Sequence, residues 1–186
     1  MDVGMLDRAV RHTGGIVARI SRDDLGSSTP CAEWSVRDLL NHLIGSYEMV
    51  AAGASGETVD VAGTDYTSED HAAAYDAAGA RMVEAMSAEG AMERKFKMPW
   101  GETPGQVLLG LMVADAAVHG WDLAQATGQG ANVEPDIAEA VYETTSGMME
   151  PKGSFPRGDS FAPPVDVPDD APAEDRMVAY LGRQPS

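Results

Sequence analysis

The chain has 186 residues and a single cysteine, Cys31, so no disulfide can form within it. A framework without disulfides fits a reducing compartment. The first residues lack a basic start followed by an apolar run, which argues against a signal peptide. No stretch approaches the roughly 18 consecutive apolar residues of a membrane span. These absences predict a cytoplasmic protein with no membrane partner.

Basic residues are also scarce. Thirteen lysines and arginines stand against 30 aspartates and glutamates, which gives a net charge of −17. Such a charge repels nucleic acid and anionic lipid, although an acidic surface also serves solubility alone. We therefore expect no nucleic-acid partner. The length is sufficient for one domain, 1–186, with a single core.

Hydrophobic periodicity predicts a helical protein. Apolar residues recur at helical spacing over residues 2–21, 35–52, 68–88, 104–127, 135–149 and 172–181. Ser35 and Asp38 are placed to begin the second of these helices. Thr103 is the predicted N-cap of the fourth helix, and the Gln106 side chain is expected to bond back to the Thr103 N–H. Residues 93–101 favour a short strand or an extended connector.

The segment 150–172 is rich in proline, glycine and aspartate and cannot be helical throughout. An ordered arm could bury its four large apolar residues against the bundle: Phe155, Phe161, Val165 and Val167. The sequence therefore predicts an all-α fold with extra short helices and a proline-rich C-terminal arm.

Asp115 and His119 stand four residues apart in an apolar helical pattern, so both side chains project from one face. A buried, unpaired carboxylate costs several kcal/mol, which a cation would offset. His42, on the apolar side of another predicted helix, is the best third donor. Two imidazoles and one carboxylate leave coordination positions open, as in catalytic centres. We predict a divalent metal site of His42, Asp115 and His119, with zinc favoured and nickel, manganese or iron as alternatives.

Each of these residues also has a structural interpretation. Asp115 and His119 could pair with each other or with Arg81, and His42 taken alone is typical of a satisfied core histidine. Asp122 could accept the N–H of a ligating imidazole, or bind a backbone amide or solvent.

The other candidate residues carry weaker signals. His12 and His71 lie on predicted helices that could reach the cavity, but a surface or core role is favoured for both. Cys31 precedes a helix start, where the dipole would stabilise a thiolate, yet most such cysteines are small buried hydrophobes. No nucleophile constellation is present, so no catalytic residue is assigned.

Four segments carry a family resemblance: residues 29–43 (TPCAEWSVRDLLNHL), 115–124 (DAAVHGWDLA), 161–170 (FAPPVDVPDD) and 181–183 (LGR). Together they resemble the actinobacterial metal-binding branch of the DinB superfamily, which includes the N-terminal domain of mycothiol-dependent maleylpyruvate isomerases. The resemblance implies an up-down-down-up four-helix bundle. It also implies that His42, Asp115 and His119 are the metal ligands, aspartate at 115 being a shorter variant of the family's carboxylate.

The function implied by the resemblance is metal-dependent thiol S-transfer, in which a low-molecular-weight thiol such as mycothiol attacks a small electrophile. The chain is too short to hold the second domain of the isomerase, so isomerisation is not expected. Alternatives are a non-catalytic metal-binding stress-response module, a metal-dependent hydrolase and, less favoured, non-haem iron oxygen chemistry. The fold is compatible with a homodimer, which the sequence does not specify.

Overall fold

The structure is a computed structural model that describes residues 1–31, 33–149, 157 and 161–185. The described elements comprise six helices and two strands: α1 Val3–Val17, α2 Val36–Ala54, α3 His71–Ser87, β1 Lys95–Met98, β2 Gly101–Pro104, α4 Gly105–Ala126, α5 Pro135–Met149 and α6 Ala173–Tyr180. A short 3₁₀ helix, Arg22–Gly26, lies between α1 and α2. The predicted all-α class is confirmed.

Side-chain caps begin three of these helices. The Ser35 hydroxyl accepts from the Asp38 N–H, and the Asp38 carboxylate accepts from the Ser35 N–H, so the predicted capping box of α2 is present. The Ser35 hydroxyl also donates to the Asp38 carboxylate, and this bond, followed by the bond from the Ser35 N–H, lowers the pKa of Asp38. Asp2 and Asp70 cap α1 and α3 without a reciprocal bond, since each side chain accepts from one amide of the first turn. Each cap satisfies amide groups that the helix itself leaves unpaired.

The core of residues 1–131 lies among α1, α2, α3 and α4. α1 packs on α3 and α4, and α2 packs on the same two helices. Two buried tyrosines join α2 to α3, because the hydroxyls of Tyr47 and Tyr75 lie 3.1 Å apart and Tyr75 also donates to the Val10 carbonyl. Burial of these phenols raises the pKa of each. This four-helix core positions the candidate site described below.

The start of α4 differs from the prediction. β1 and β2 form an antiparallel hairpin in which Phe96 pairs with Thr103. Thr103 therefore belongs to a strand, and its hydroxyl accepts a hydrogen bond from the Trp100 indole at 3.0 Å instead of capping the helix. The N-cap of α4 is Pro104, which makes no side-chain capping bond. The predicted Thr103 cap is wrong because strand pairing engages that residue.

Residues 132–186 form a second compact unit, in which α5 and α6 pack together. Arg176 pairs with Glu139 and lies over the Tyr142 ring. Of the apolar residues expected in the C-terminal arm, Phe155 lies outside the described residues. The other three, Phe161, Val165 and Val167, are half-buried. This division does not test whether 1–186 folds as one domain, which stays a prediction.

Among the described residues, one helix, Gly105–Ala126, is long and apolar enough to cross a membrane by composition alone. The apolar window is 72% buried inside the protein. This burial is typical of the central helix of a packed core.

Candidate metal centre

Side chains from α2 and α4 meet at one point in the bundle. His42 Nε2 lies 3.2 Å from Asp115 Oδ1, and His119 Nε2 lies 3.5 Å from the same oxygen. One donor atom from each of the three residues lies within 4.8 Å of the others. The Asp115 and His119 side chains are each 14% exposed, whereas His42 is 34% exposed. The structure therefore brings together all three residues of the predicted ligand set.

Asp122 orients one of these imidazoles. It is fully buried, and its Oδ2 lies 3.0 Å from His119 Nδ1. A carboxylate can only accept, so Nδ1 carries the proton of this bond. In the neutral ring the lone pair is then on Nε2, the nitrogen that faces Asp115. The hydrogen bond from His119 predicted for Asp122 is present.

The centre contains a buried carboxylate whose charge a cation would stabilise. In the neutral ring, His119 Nε2 and Asp115 Oδ1 are both acceptors and face each other. Asp115 Oδ2 is buried, and no described residue gives it a hydrogen bond. Burial raises the pKa of Asp115, but the hydrogen bond from His42 and the neighbouring imidazoles outweigh it, so the pKa falls below its ordinary value. A carboxylate held ionised with a buried oxygen available is a suitable ligand for a divalent ion.

The contact with Asp115 also changes the pKa of His42. Burial lowers the pKa of this imidazole, but the hydrogen bond to Asp115 and its negative charge prevail, and the net direction is upward. A proton on His42 therefore partly offsets the Asp115 charge in the metal-free protein. A divalent ion would displace that proton, because a ligating nitrogen must give up its N–H.

Trp34 forms one wall of the centre, a role that sequence reasoning missed. Its ring centroid lies 4.8 Å from that of His42 and 6.1 Å from that of His119. The imidazoles themselves meet edge to face at 5.1 Å. The available signal was the position of Trp34, directly before the Ser35 cap of the helix that carries His42.

A groove opens beside His42, with a volume of about 450 Å³. One wall is the α2 face that carries Asp38, Asn41, His42 and Ser46, and the other is the loop 61–65. The loop is attached to α2, because Arg37 Nη1 donates to Asp65 Oδ2 at 2.9 Å. The groove borders the centre at His42, which is the one of the three donors in its lining.

Several other candidates lie away from the centre. His12 donates to the carbonyl of Ala131 and His71 to that of Ile20, so both have structural partners. Arg81 pairs with Glu48 instead of Asp115. Trp121 is 2% exposed and belongs to the core. The Arg81 alternative for Asp115 is therefore wrong.

A family model, the mycothiol maleylpyruvate isomerase N-terminal domain, matches residues 6–124. The chain belongs to this family. The match confirms the resemblance stated from the sequence, and it includes His42, Asp115 and His119. The mycothiol maleylpyruvate isomerase N-terminal domain thus takes up most of the unit that ends at Ala131.

Two curated relatives from Mycobacterium tuberculosis share 36% identity with the chain over 176 residues: the uncharacterized protein MT0763 of strain CDC 1551 and the uncharacterized protein Rv0738 of strain H37Rv. The alignment covers 95% of this chain and 94% of each relative. Members of the family with this overall length therefore occur in mycobacteria.

Two solved structures are similar in fold: mycothiol-dependent maleylpyruvate isomerase and a mutant of it, with TM-scores of 0.61 and 0.63 at 15% identity. Each similarity covers 78% of this chain and 66% of the isomerase chain. At this identity the comparison shows the fold, and it confirms the DinB-like bundle.

Replacing Asp122 by asparagine is expected to weaken divalent metal binding by about 10- to 100-fold. Asparagine keeps the size of the side chain, but it removes the charge that favours the Nδ1–H tautomer of His119. Calorimetric titration of the metal-free protein with Zn²⁺ measures the change. Asp7→Asn, a substitution of an α1 carboxylate that pairs with Arg11, is the matched control. Unchanged affinity in Asp122→Asn would show that the tautomer is fixed by other contacts.

Proposed function

We propose that this protein is a divalent-metal-dependent thiol S-transferase that joins a low-molecular-weight thiol of the mycothiol type to a small electrophile. The observation that carries the proposal is the buried Asp115 carboxylate, which lies between two imidazoles and has an oxygen that no described residue satisfies. Family membership supports a thiol as the partner, since the related isomerases are mycothiol-dependent.

The three donors fit such an ion. One carboxylate oxygen and two imidazole nitrogens are the ligands that zinc accepts, and they leave a position for an exogenous donor. Zinc is the ion we favour. An ion bound by His42, Asp115 and His119 would supply Lewis acidity, which lowers the pKa of a thiol so that it reacts as a thiolate near neutral pH.

The residues around the ligands have distinct tasks. Asp122 holds His119 in the tautomer that presents Nε2. Trp34 covers one side of both imidazoles and limits the access of water. The groove beside His42 holds the polar body of the thiol, so that its sulfur lies close to the three donors. In the transfer a sulfur–carbon bond forms as the bond from that carbon to the leaving group of the electrophile breaks. The leaving group departs with the electron pair, and the thiol proton passes to solvent.

The test is a thiol-dependent consumption assay with the metal-loaded protein. Mycothiol and related thiols are supplied in turn with a panel of small electrophiles, and loss of the electrophile is measured. We expect turnover that requires both metal and thiol, and we expect His119→Ala to lose it. Glu48→Gln is the matched control, because Glu48 lies on α2 but pairs with Arg81.

Two results would count against the proposal. Metal-loaded protein that binds no thiol and consumes no electrophile across the panel would refute S-transfer. Metal that survives prolonged chelation and only raises the unfolding temperature would favour the non-catalytic metal-binding module. Plasma mass spectrometry before and after chelation separates these cases.

A further inference from the structure

A second cluster of metal-ligating side chains lies beside the first. Donor atoms of Cys31, His119 and Asp122 all lie within 4.8 Å of one another. Asp122 is fully buried and Cys31 is half-buried. His119 belongs to both clusters, which we name by their donors: the N,N,O cluster is His42, Asp115 and His119, and the S,N,O cluster is Cys31, His119 and Asp122.

The turn that carries Cys31 is held in place by its own hydrogen bonds. The Thr29 hydroxyl donates to the carbonyl of Trp34 at 2.9 Å and accepts from the Cys31 N–H at 3.2 Å. The Trp34 N–H donates to the Cys31 carbonyl at 3.1 Å. The Trp34 ring in turn packs on both imidazoles of the N,N,O cluster. Cys31 therefore has a defined position next to His119.

From this geometry we propose that the S,N,O cluster is a second binding site, selective for thiophilic divalent ions such as Cd²⁺, Co²⁺ and Zn²⁺. A thiolate adds a soft ligand that the N,N,O cluster lacks, and it shifts preference toward these ions. Bonds of about 2.0 to 2.3 Å hold tetrahedral donors about 3.3 to 3.7 Å apart. From the upper limit of 4.8 Å, the donors need to approach by about 1 Å to accept an ion.

Binding there has a consequence for the first cluster. An ion on the S,N,O cluster uses Asp122, the carboxylate that orients His119 for the N,N,O cluster. Filling the second site therefore competes with the first through their shared imidazole. A thiophilic ion in excess is expected to inhibit any activity that depends on the N,N,O cluster.

The experiment is a Cd²⁺ titration of the reduced, metal-free full-length chain. Coordination replaces the Cys31 thiol proton, so one proton is released and a thiolate-to-cadmium absorption band appears in the ultraviolet. We expect the band in the wild type and in the double variant His42→Ala/Asp115→Asn, which removes two ligands of the first cluster. We expect it to be absent in Cys31→Ser.

The matched variant is Asp122→Asn, which keeps the cysteine and the shape of the site. It should weaken Cd²⁺ binding at least about tenfold. Absence of the band in the wild type would overturn the proposal. Equal affinity in Asp122→Asn would also overturn it, because cadmium would then bind the cysteine thiol adventitiously. Circular dichroism of each variant checks that the helical fold is retained.

Failure here is distinguishable from failure of the proposed transferase. Cys31→Ser keeps His42, Asp115 and His119, so it should still bind Zn²⁺ and support thiol transfer. Loss of the cadmium band with normal zinc-dependent turnover in the wild type would remove only the second site. A cadmium band without any thiol-dependent turnover would remove only the transferase.

Discussion

Exchanging Asp115 for asparagine is expected to weaken divalent metal binding by more than about 100-fold, because loss of an outer hydrogen-bonding partner alone costs about 10- to 100-fold. Asparagine preserves the shape of the side chain, but it removes the only negative charge among the three N,N,O donors. The metal-free variant should remain folded, since the exchange also removes a buried charge with an unsatisfied oxygen. Calorimetry gives the affinity, and thermal unfolding with and without metal gives the linked stability.

The coupling between metal binding and folding stability provides an independent check on the predicted loss of affinity. An ion present at about 100 times its dissociation constant stabilises the wild type by about 2.7 kcal/mol. That increment should disappear in Asp115→Asn and remain in Glu48→Gln, where the exchanged carboxylate pairs with Arg81. Retention of wild-type affinity in Asp115→Asn would mean that the ion, if bound, does not use this carboxylate.

Replacing Gly120 by alanine is expected to destabilise the bundle by about 3 kcal/mol through overpacking and the loss of a buried hydrogen bond. A Cβ at this position would lie 2.2 Å from Thr13 Oγ1 and 3.2 Å from Thr13 Cβ. Thr13 is fully buried, and its hydroxyl donates to the Ala116 carbonyl at 2.8 Å, so it has little freedom to move away. Urea unfolding of the metal-free protein measures the change.

Gly15→Ala is the matched control for that substitution. Gly15 is also inside a helix, α1, but it is exposed, and its Cβ would meet only Arg19 at 4.0 Å. It should stabilise the protein by about 0.5 to 1 kcal/mol through helix propensity. Adding Thr13→Ala to Gly120→Ala should recover part of the loss, because the closest clashing atom is removed. A fully additive double variant would contradict the clash.

The helices and the first strand were largely predictable from local chemistry, whereas the second strand and its pairing were not. Ser35 and Asp38 encode the start of α2 in four residues, and periodicity gave α5 its observed bounds. Residues 103–106 match a capping box equally well, yet pairing of Phe96 with Thr103 decides the outcome. Whether two segments pair as strands depends on how they pack in the folded protein. The helical pattern of residues 103–106 does not contain that information.

For the candidate site, the sequence predicted the three donor residues but not the side chains and the loop that surround them. Asp115 and His119 are related by helical spacing, so their proximity is a local property. The approach of His42 depends on how α2 and α4 pack, and it was inferred from burial cost and family resemblance together. The closeness of Cys31 to Asp122 had no local signal, because the turn from Thr29 to Trp34 sets it.

The three donors lie on helices, whereas part of the wall around them lies on connecting segments. His42, Asp115 and His119 lie on two packed helices, where a substitution disturbs the core, whereas Trp34 and the 61–65 wall belong to connecting segments. Connections tolerate exchange and changes of length far better than packed helices do. Descendants of one ancestral chain can therefore change the walls of the groove by altering these connections while keeping the three N,N,O donors in place.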